Sequence, residues 1–193
     1  MPKLVLASTS KYRRELLARL GVDFEVAAPS CDEEALKDAS MAPAALASFL
    51  AREKARSVAG QFPHAHILGS DQLVEIEGEV LGKPGSAERA LEQLLKLSGR
   101  AHQLITAYVL ICRDGSVLEH VDTHVLHMRA LTEAELTRYV SADQPLDCAG
   151  SYKIEARGIT LVERIEGADF TAITGLPLVA LTSTLRSQGF AVP

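Results

Sequence analysis

The feature that most narrows the fold is an unbroken apolar run near the N-terminus, Leu4-Val5-Leu6-Ala7. A strand with one wet face alternates apolar and polar residues, so a strand apolar at every position must be covered on both faces. The run reads as a first strand over residues 3–7. It is too short for a signal sequence or a membrane span. Ser8-Thr9-Ser10 follows, then a helix over residues 11–20, with Ser10 as N-cap and Gly21 as stop.

The same alternation of strand and helix continues along the chain. A short strand is expected over Phe24 to Ala27, followed by an acidic loop, Cys31-Asp32-Glu33-Glu34. A helix over residues 43–61 carries the ridge Leu46, Leu50, Lys54, Val58 at i+4 spacing. Ile67-Leu68-Gly69 runs into Ser70-Asp71-Gln72 and then Val74 and Ile76, with a turn at Glu77-Gly78. Gly82-Lys83-Pro84 reads as a loop and Ser86 to Leu97 as a helix. Strands are expected over His102 to Cys112 and Val117 to Met128. Thr132 opens a helix to Val140, with Glu135 as its reciprocal cap. Ile159 to Ile165 reads as a strand, and Leu178 to Ser187 as the last helix. This pattern gives an α/β fold with a mixed sheet and flanking helices.

At 193 residues the chain is long enough for one domain, or two small lobes, with a full core. Its formal charge of -5 argues against nucleic acid as a partner, since phosphate contacts demand a basic excess. The three cysteines, Cys31, Cys112 and Cys148, show no C-x-x-C spacing, so reduced thiols in the cytoplasm fit better than disulfides or a zinc site.

The first strand-loop-helix carries the clearest chemical signal. A helix N-terminus favours acids, yet its first turn here holds Lys11, Arg13 and Arg14. Either this is a solvated basic turn, or an anion binds there, with Ser8, Ser10 and Arg13 around it. Lys54 stands on an apolar ridge, where snorkelling is the ordinary reading for a lysine and a second phosphate contact is the functional one. Asp71 ends a buried strand, where α/β proteins place ligands, and it is a candidate for metal or water. An ordinary turn aspartate is the more usual reading of such a position. Lys83 and Glu33 have the same two readings. His120, His124 and His127 invite a metal reading, but the segment alternates, so His120, Asp122 and His124 read as one polar sheet face rather than a ligand set. Cys148 reads as inert.

Taken together, these segments resemble the Maf family of nucleotide pyrophosphatases over essentially the whole chain. The resemblance is carried by Leu6-Ala7-Ser8-Thr9-Ser10-x-x-Arg13-Arg14-x-Leu16-Leu17, Asp32-Glu33, Arg52-Glu53-Lys54-Ala55 and Gly69-Ser70-Asp71. It continues through Gly82-Lys83-Pro84, Leu97-Ser98-Gly99-Arg100-x-His102 and Ala149-Gly150-Ser151-Tyr152. It implies a two-lobed fold with the substrate in a central cleft, commonly as a homodimer. It also implies hydrolysis of a nucleoside triphosphate between its α- and β-phosphates, with Mg²⁺, or Mn²⁺ or Co²⁺ in its stead. Asp71 then corresponds to the catalytic base, and Ser8, Arg13, Lys54 and Lys83 to phosphate ligands. Glu33 corresponds to a metal or water partner beside Asp71.

Three positions depart from the commonest family pattern: Tyr12 for arginine, Gln72 for threonine and Glu155 for glutamine. They resemble the subfamily that prefers 7-methylguanosine triphosphate (7-methyl-GTP). A cationic methylated guanine suits an aromatic face at Tyr12 and a carboxylate at Glu155. The alternatives are thymidine or uridine triphosphate as substrate, or a non-catalytic nucleotide-binding regulator of cell division. Asp71, Lys54 and Lys83 together favour turnover.

Overall fold

The computed structural model describes residues 2–38 and 40–193. Its strands are β1 (Leu4–Ala7), β2 (Phe24–Ala27), β3 (His66–Ile76), β4 (Glu79–Leu81), β5 (Ala101–Ile111), β6 (Val117–Met128) and β7 (Val162–Glu166). Its helices are α1 (Lys11–Ala18), α2 (Glu33–Leu36), α3 (Pro43–Ala59), α4 (Ala87–Leu97), α5 (Glu133–Asp143), α6 (Phe170–Ile173) and α7 (Leu178–Ser187). Two 3₁₀ turns, Ala149–Ser151 and Arg157–Leu161, precede β7. The strand order is β2-β1-β3-β5-β6-β7, with β4 paired to β3, and the sheet is mixed as expected. Among the described residues, no helix is long and apolar enough to cross a membrane.

The chain divides into two compact units. The first comprises residues 1–72, 106–122 and 169–193, and the second comprises residues 73–105 and 123–168. In the first unit β1 pairs in parallel with β2 and with β3, Leu6 lying opposite Val26 on one side and Leu68 on the other. The apolar run is buried throughout, and period-two geometry explains why. Leu4 and Leu6 enter one core with Leu16, Leu17, Tyr108, Leu181 and Leu185. Val5 and Ala7 enter another, with Ala55, Val58 and Ile67.

Gly69 brings α3 directly onto β3. A Cβ there would overlap the carbonyl oxygen of Ala51 and lie 2.9 Å from the Ala55 nitrogen. Helix and strand backbones can touch only because no side chain intervenes. The consequence is positional: Lys54 of α3 comes level with Asp71, which lies in the middle of β3 and not at a strand end as expected, because the strand runs on unbroken to the hairpin at Glu77-Gly78.

In the second unit β3 and β4 form an antiparallel hairpin through Glu77-Gly78, and β6 pairs antiparallel with β7. Thr132 and Glu135 close the anticipated capping box on α5. Two assignments differ. Residues 159–161 belong to a 3₁₀ turn, and the strand begins only at Val162. Gly158 explains this, since it packs against the Lys153 backbone and turns the chain where the apolar pattern suggested extension. The acidic loop contains the short helix α2, which starts at Glu33, with Asp32 Oδ1 accepting from the Ala35 nitrogen at 3.2 Å.

Candidate active site

The first unit holds seven of the singled-out residues, Ser8, Tyr12, Arg13, Glu33, Lys54, Asp71 and Gln72. Lys54 Nζ lies 2.6 Å from Asp71 Oδ1 and 3.0 Å from Glu33 Oε2. The Lys54 and Asp71 side chains are each 7% exposed, and Glu33 closes the group from its more open side at 41%. Snorkelling therefore does not describe Lys54: its ammonium points inward, onto two carboxylates. Arg13 belongs to the same field. Desolvation lowers its pKa, while the charges of Asp71 and Glu33 oppose that shift.

Arg13 is held by its own backbone and by a distant loop. Ser10 caps α1 by accepting from the Arg13 nitrogen at 3.4 Å, and Ser8 Oγ accepts from the Ser10 nitrogen at 3.1 Å. Both hydroxyls keep a proton to donate. Arg13 Nε donates to the Gly175 carbonyl at 3.1 Å, which fixes the plane of the guanidinium and leaves its outer nitrogens for an anion. No acid stands in the first turn of α1. Tyr12 carries the Lys11 ammonium 4.9 Å from its ring centroid, so the ring already receives a cation.

Sequence reasoning missed the support beneath these groups, residues 169–179. Asp169 Oδ1 accepts from the Thr171 nitrogen and hydroxyl at 3.0 and 2.5 Å, and Oδ2 accepts from the Val179 nitrogen at 2.7 Å. Thr171 Oγ1 accepts from the Leu178 nitrogen at 2.8 Å. The loop so closed aims carbonyls at the site. Ser70 Oγ donates to Gly175 O at 3.0 Å. Gln72 Nε2 donates to Ala172 O and Ile173 O at 2.9 and 3.0 Å and to Thr106 Oγ1 at 2.9 Å. The amide nitrogen of Gln72, singled out for specificity, is thus committed to the protein's own backbone. The signal was present in Asp169-x-Thr171, a capping pair just before Gly175-Leu176-Pro177.

The second unit carries Lys83 and Glu155, both exposed. Gln93 fastens their two loops: its Nε2 donates to Gly82 O at 3.1 Å, and its Oε1 accepts from Ser151 Oγ at 2.6 Å. The segment leading to Glu155 is further held by Tyr139 Oη, which accepts from the Lys153 nitrogen at 2.9 Å. His102 Nε2 and Tyr152 Oη lie 2.8 Å apart. Burial lowers the His102 pKa to about 4, so the ring is neutral at physiological pH.

His120 stacks on Tyr108, while His124 is buried against Gly167 instead of standing on a solvated face. Among the described residues, no three histidine, cysteine or acidic side chains converge as a metal-binding group. Burial and Asp147 push the Cys148 thiol up to about 12, in keeping with an inert cysteine.

Asp71 and Glu33 do fit Mg²⁺. That ion takes one or two carboxylates and fills its remaining positions with water and substrate phosphates, so a dedicated cage is unnecessary.

A buried pair between a carboxylate within β3 and a lysine of α3, beside a helix N-terminus with an oriented arginine, makes a candidate phosphate site within an α/β protein. The Maf-like protein family model matches residues 3–188, and the chain belongs to that family. A Xanthomonas campestris pv. campestris relative named 7-methyl-GTP pyrophosphatase is 49% identical over 193 residues, covering 100% of both chains. A Bdellovibrio bacteriovorus protein of the same name is 48% identical over 185 residues, 96% of each chain. The solved structure of the Staphylococcus aureus Ham1 protein shares the fold, with a TM-score of 0.56 at 15% identity over 96% of this chain and 99% of that one.

Proposed function

We propose that this chain hydrolyses 7-methyl-GTP to 7-methyl-GMP and pyrophosphate, removing a modified nucleotide. The observation that carries the reading is the buried Lys54–Asp71 pair with Glu33 and Arg13 in its field. Full-length relatives of that name support the substrate.

In this reading a water attacks the α-phosphorus, the bond to the β-phosphate oxygen breaks, and pyrophosphate leaves. Asp71 orients the water and takes its proton. Arg13, held flat by Gly175, and the hydroxyl of Ser8 bind phosphate oxygens, and Lys54 and Lys83 add positive charge. Asp71 and Glu33 are the residues that would hold a divalent cation. Bound there, Mg²⁺ would offset charge on the polyphosphate and the leaving group. Tyr12 offers a face to the cationic base, and Glu155 accepts from its N1–H and N2–H₂ edge. The family resemblance extends the proposal to a homodimer working in the cytoplasm.

The test is pyrophosphate release from a panel of 7-methyl-GTP, GTP, dTTP and UTP, with Mg²⁺ and with EDTA. The expected result is cation-dependent turnover, with 7-methyl-GTP favoured over dTTP and UTP by ~10²-fold or more in kcat/KM. Preference for dTTP or UTP would reassign the substrate, and absence of release from any of them would remove the enzymatic reading.

A further inference from the structure

Lys54 faces two demands that one ammonium cannot meet together. It is a phosphate ligand in the proposed reaction, yet its Nζ sits 2.6 Å from Asp71 and 3.0 Å from Glu33, the two carboxylates that would hold the cation. A lysine has three N–H donors, so with two engaged at most one remains for a phosphate oxygen. We propose that Lys54 holds the place of the divalent cation in the nucleotide-free protein and gives it up only to polyphosphate. Cation and nucleotide therefore enter together. The inference rests on the pyrophosphatase reading for the identity of the incoming anion.

Three observations carry it. The first is charge. Two carboxylates, Asp71 and Glu33, face two cations, Lys54 and Arg13, so no net charge is left to attract a further cation, in surroundings where the Lys54 and Asp71 side chains are nearly excluded from water. A divalent cation added beside a resident ammonium meets a like charge at close range, with little screening. The second is mobility. Arg13, the other cation in this field, is tethered through Nε to Gly175 O and cannot exchange places. Lys54 hangs on a four-carbon stem with its charge at the tip, so rotation about that stem moves the ammonium without moving α3. The third is anchorage. The close approach at Gly69 fixes the backbone on either side of Lys54, through Ala51 and Ala55, so the exchange is confined to the side chain.

A triphosphate supplies what Lys54 loses on leaving the carboxylates, and the vacated carboxylates then receive the cation accompanying it. The free protein is thereby kept from storing a cation on its own, and water beside Asp71 becomes activated only when substrate is present.

The test is Mn²⁺ binding to nucleotide-free protein, followed by electron paramagnetic resonance of the free ion. The proteins are the wild type, Lys54→Met, Lys54→Gln and the double variant Lys54→Met/Asp71→Asn. The wild type should bind weakly. Each single Lys54 variant should gain one saturable Mn²⁺ site, tighter than wild type by about ten-fold or more, since one adjacent positive charge has been removed. The double variant should lose that site.

Equal affinity in wild type and single variants overturns the exchange. So does a gain that survives in the double variant. Should the Lys54 variants fail to fold, the wild-type titration decides alone: a site tighter than the nucleotide's own affinity for Mn²⁺ overturns the proposal, and its absence sustains it. Pyrophosphate release by the wild type is measured separately, which distinguishes failure of the exchange from failure of the activity.

Discussion

Arg13 and Ser70 donate to one and the same atom, the carbonyl oxygen of Gly175, at 3.1 and 3.0 Å. A guanidinium on α1 and the residue preceding Asp71 are thus aligned by a single carbonyl. That carbonyl is in turn fixed by the Asp169–Thr171 clasp. Asp169→Ala releases the clasp and leaves buried N–H groups without acceptors. A displacement of order 1 Å at a positioned group costs ~10²-fold in rate. The expected outcome is a fall of that size in kcat on the favoured nucleotide, with Thr171→Ser retaining most activity and Thr171→Val losing it. Wild-type kcat in Asp169→Ala, with only a lowered Tm, would confine Asp169 to stability.

Gly69→Ala tests the contact between helix and strand. The added methyl overlaps the Ala51 carbonyl, a backbone atom that cannot rotate away. Overpacking of this kind costs about 1–3 kcal/mol, and more where backbone must shift. Urea denaturation should show that loss. Because α3 is pushed off β3, the Lys54–Asp71 pair should separate and activity should fall further than the unfolded fraction explains.

Asp71→Asn preserves volume and removes the base. Loss of a general base costs ~10²–10⁴-fold in kcat. Stability should change less than for a fully orphaned buried charge, because Lys54 keeps Glu33 at 3.0 Å. Pyrophosphate release and thermal denaturation on the same preparation check both halves. Near-normal release from folded protein would remove Asp71 from the mechanism.

Base selection should follow Glu155. A hydrogen bond to a charged acceptor contributes about 1.5–3 kcal/mol. Glu155→Gln should therefore lower kcat/KM for 7-methyl-GTP by ~10–100-fold, and leave the low activity on dTTP nearly unchanged. Gln93→Leu, which frees the loops of Lys83 and Glu155 together, should raise KM for every nucleotide while preserving their ranking. Unaltered ranking in Glu155→Gln would place the base elsewhere.

His102 makes stability depend on pH in a stated direction. Its folded pKa is lowered to about 4 from 6.5, chiefly by burial. The unfolded chain therefore binds the proton first as pH falls. Stability from this group is complete above pH ~6.5 and is lost progressively down to about 4, at up to ~1.4 kcal/mol per unit. Denaturation at pH 7 and pH 5 should show a loss of ~2 kcal/mol attributable to this ring. His102→Asn should be less stable at pH 7 and lack that part of the slope. An unchanged slope in the variant would assign the pH dependence to other groups.

The fold was legible wherever one local rule decided the outcome. The apolar run at residues 4–7, the caps at Ser10 and Thr132, and the turn at Glu77-Gly78 are all short-range signals, and the structure contains each of them. Residues 159–161 were not legible as a turn, because the cause is a close backbone approach at Gly158 that no periodicity records. The site was legible as residue types and not as roles. Lys54 on its ridge was ambiguous until Gly69 and Asp71 were placed beside it, and the partners of Gln72, the carbonyls of Ala172 and Ile173, lie 100 and 101 residues away in sequence. Asp169 was legible as a cap and not as a support of the site, because its influence passes through a loop in the C-terminal part of the chain.

If the base stacks on Tyr12 as proposed, the Lys11 ammonium over that ring turns the first contact with a base into a trade of like for like. An exposed cation–π contact is worth about 0.5–1 kcal/mol. A methylated guanine that evicts Lys11 returns a positive charge to the same ring, and the ring's electron-rich face is never left bare. A neutral base that takes the same seat evicts the lysine and returns nothing of that kind. On that proposal, discrimination would be partly written into the resting protein, as a toll levied only on uncharged visitors.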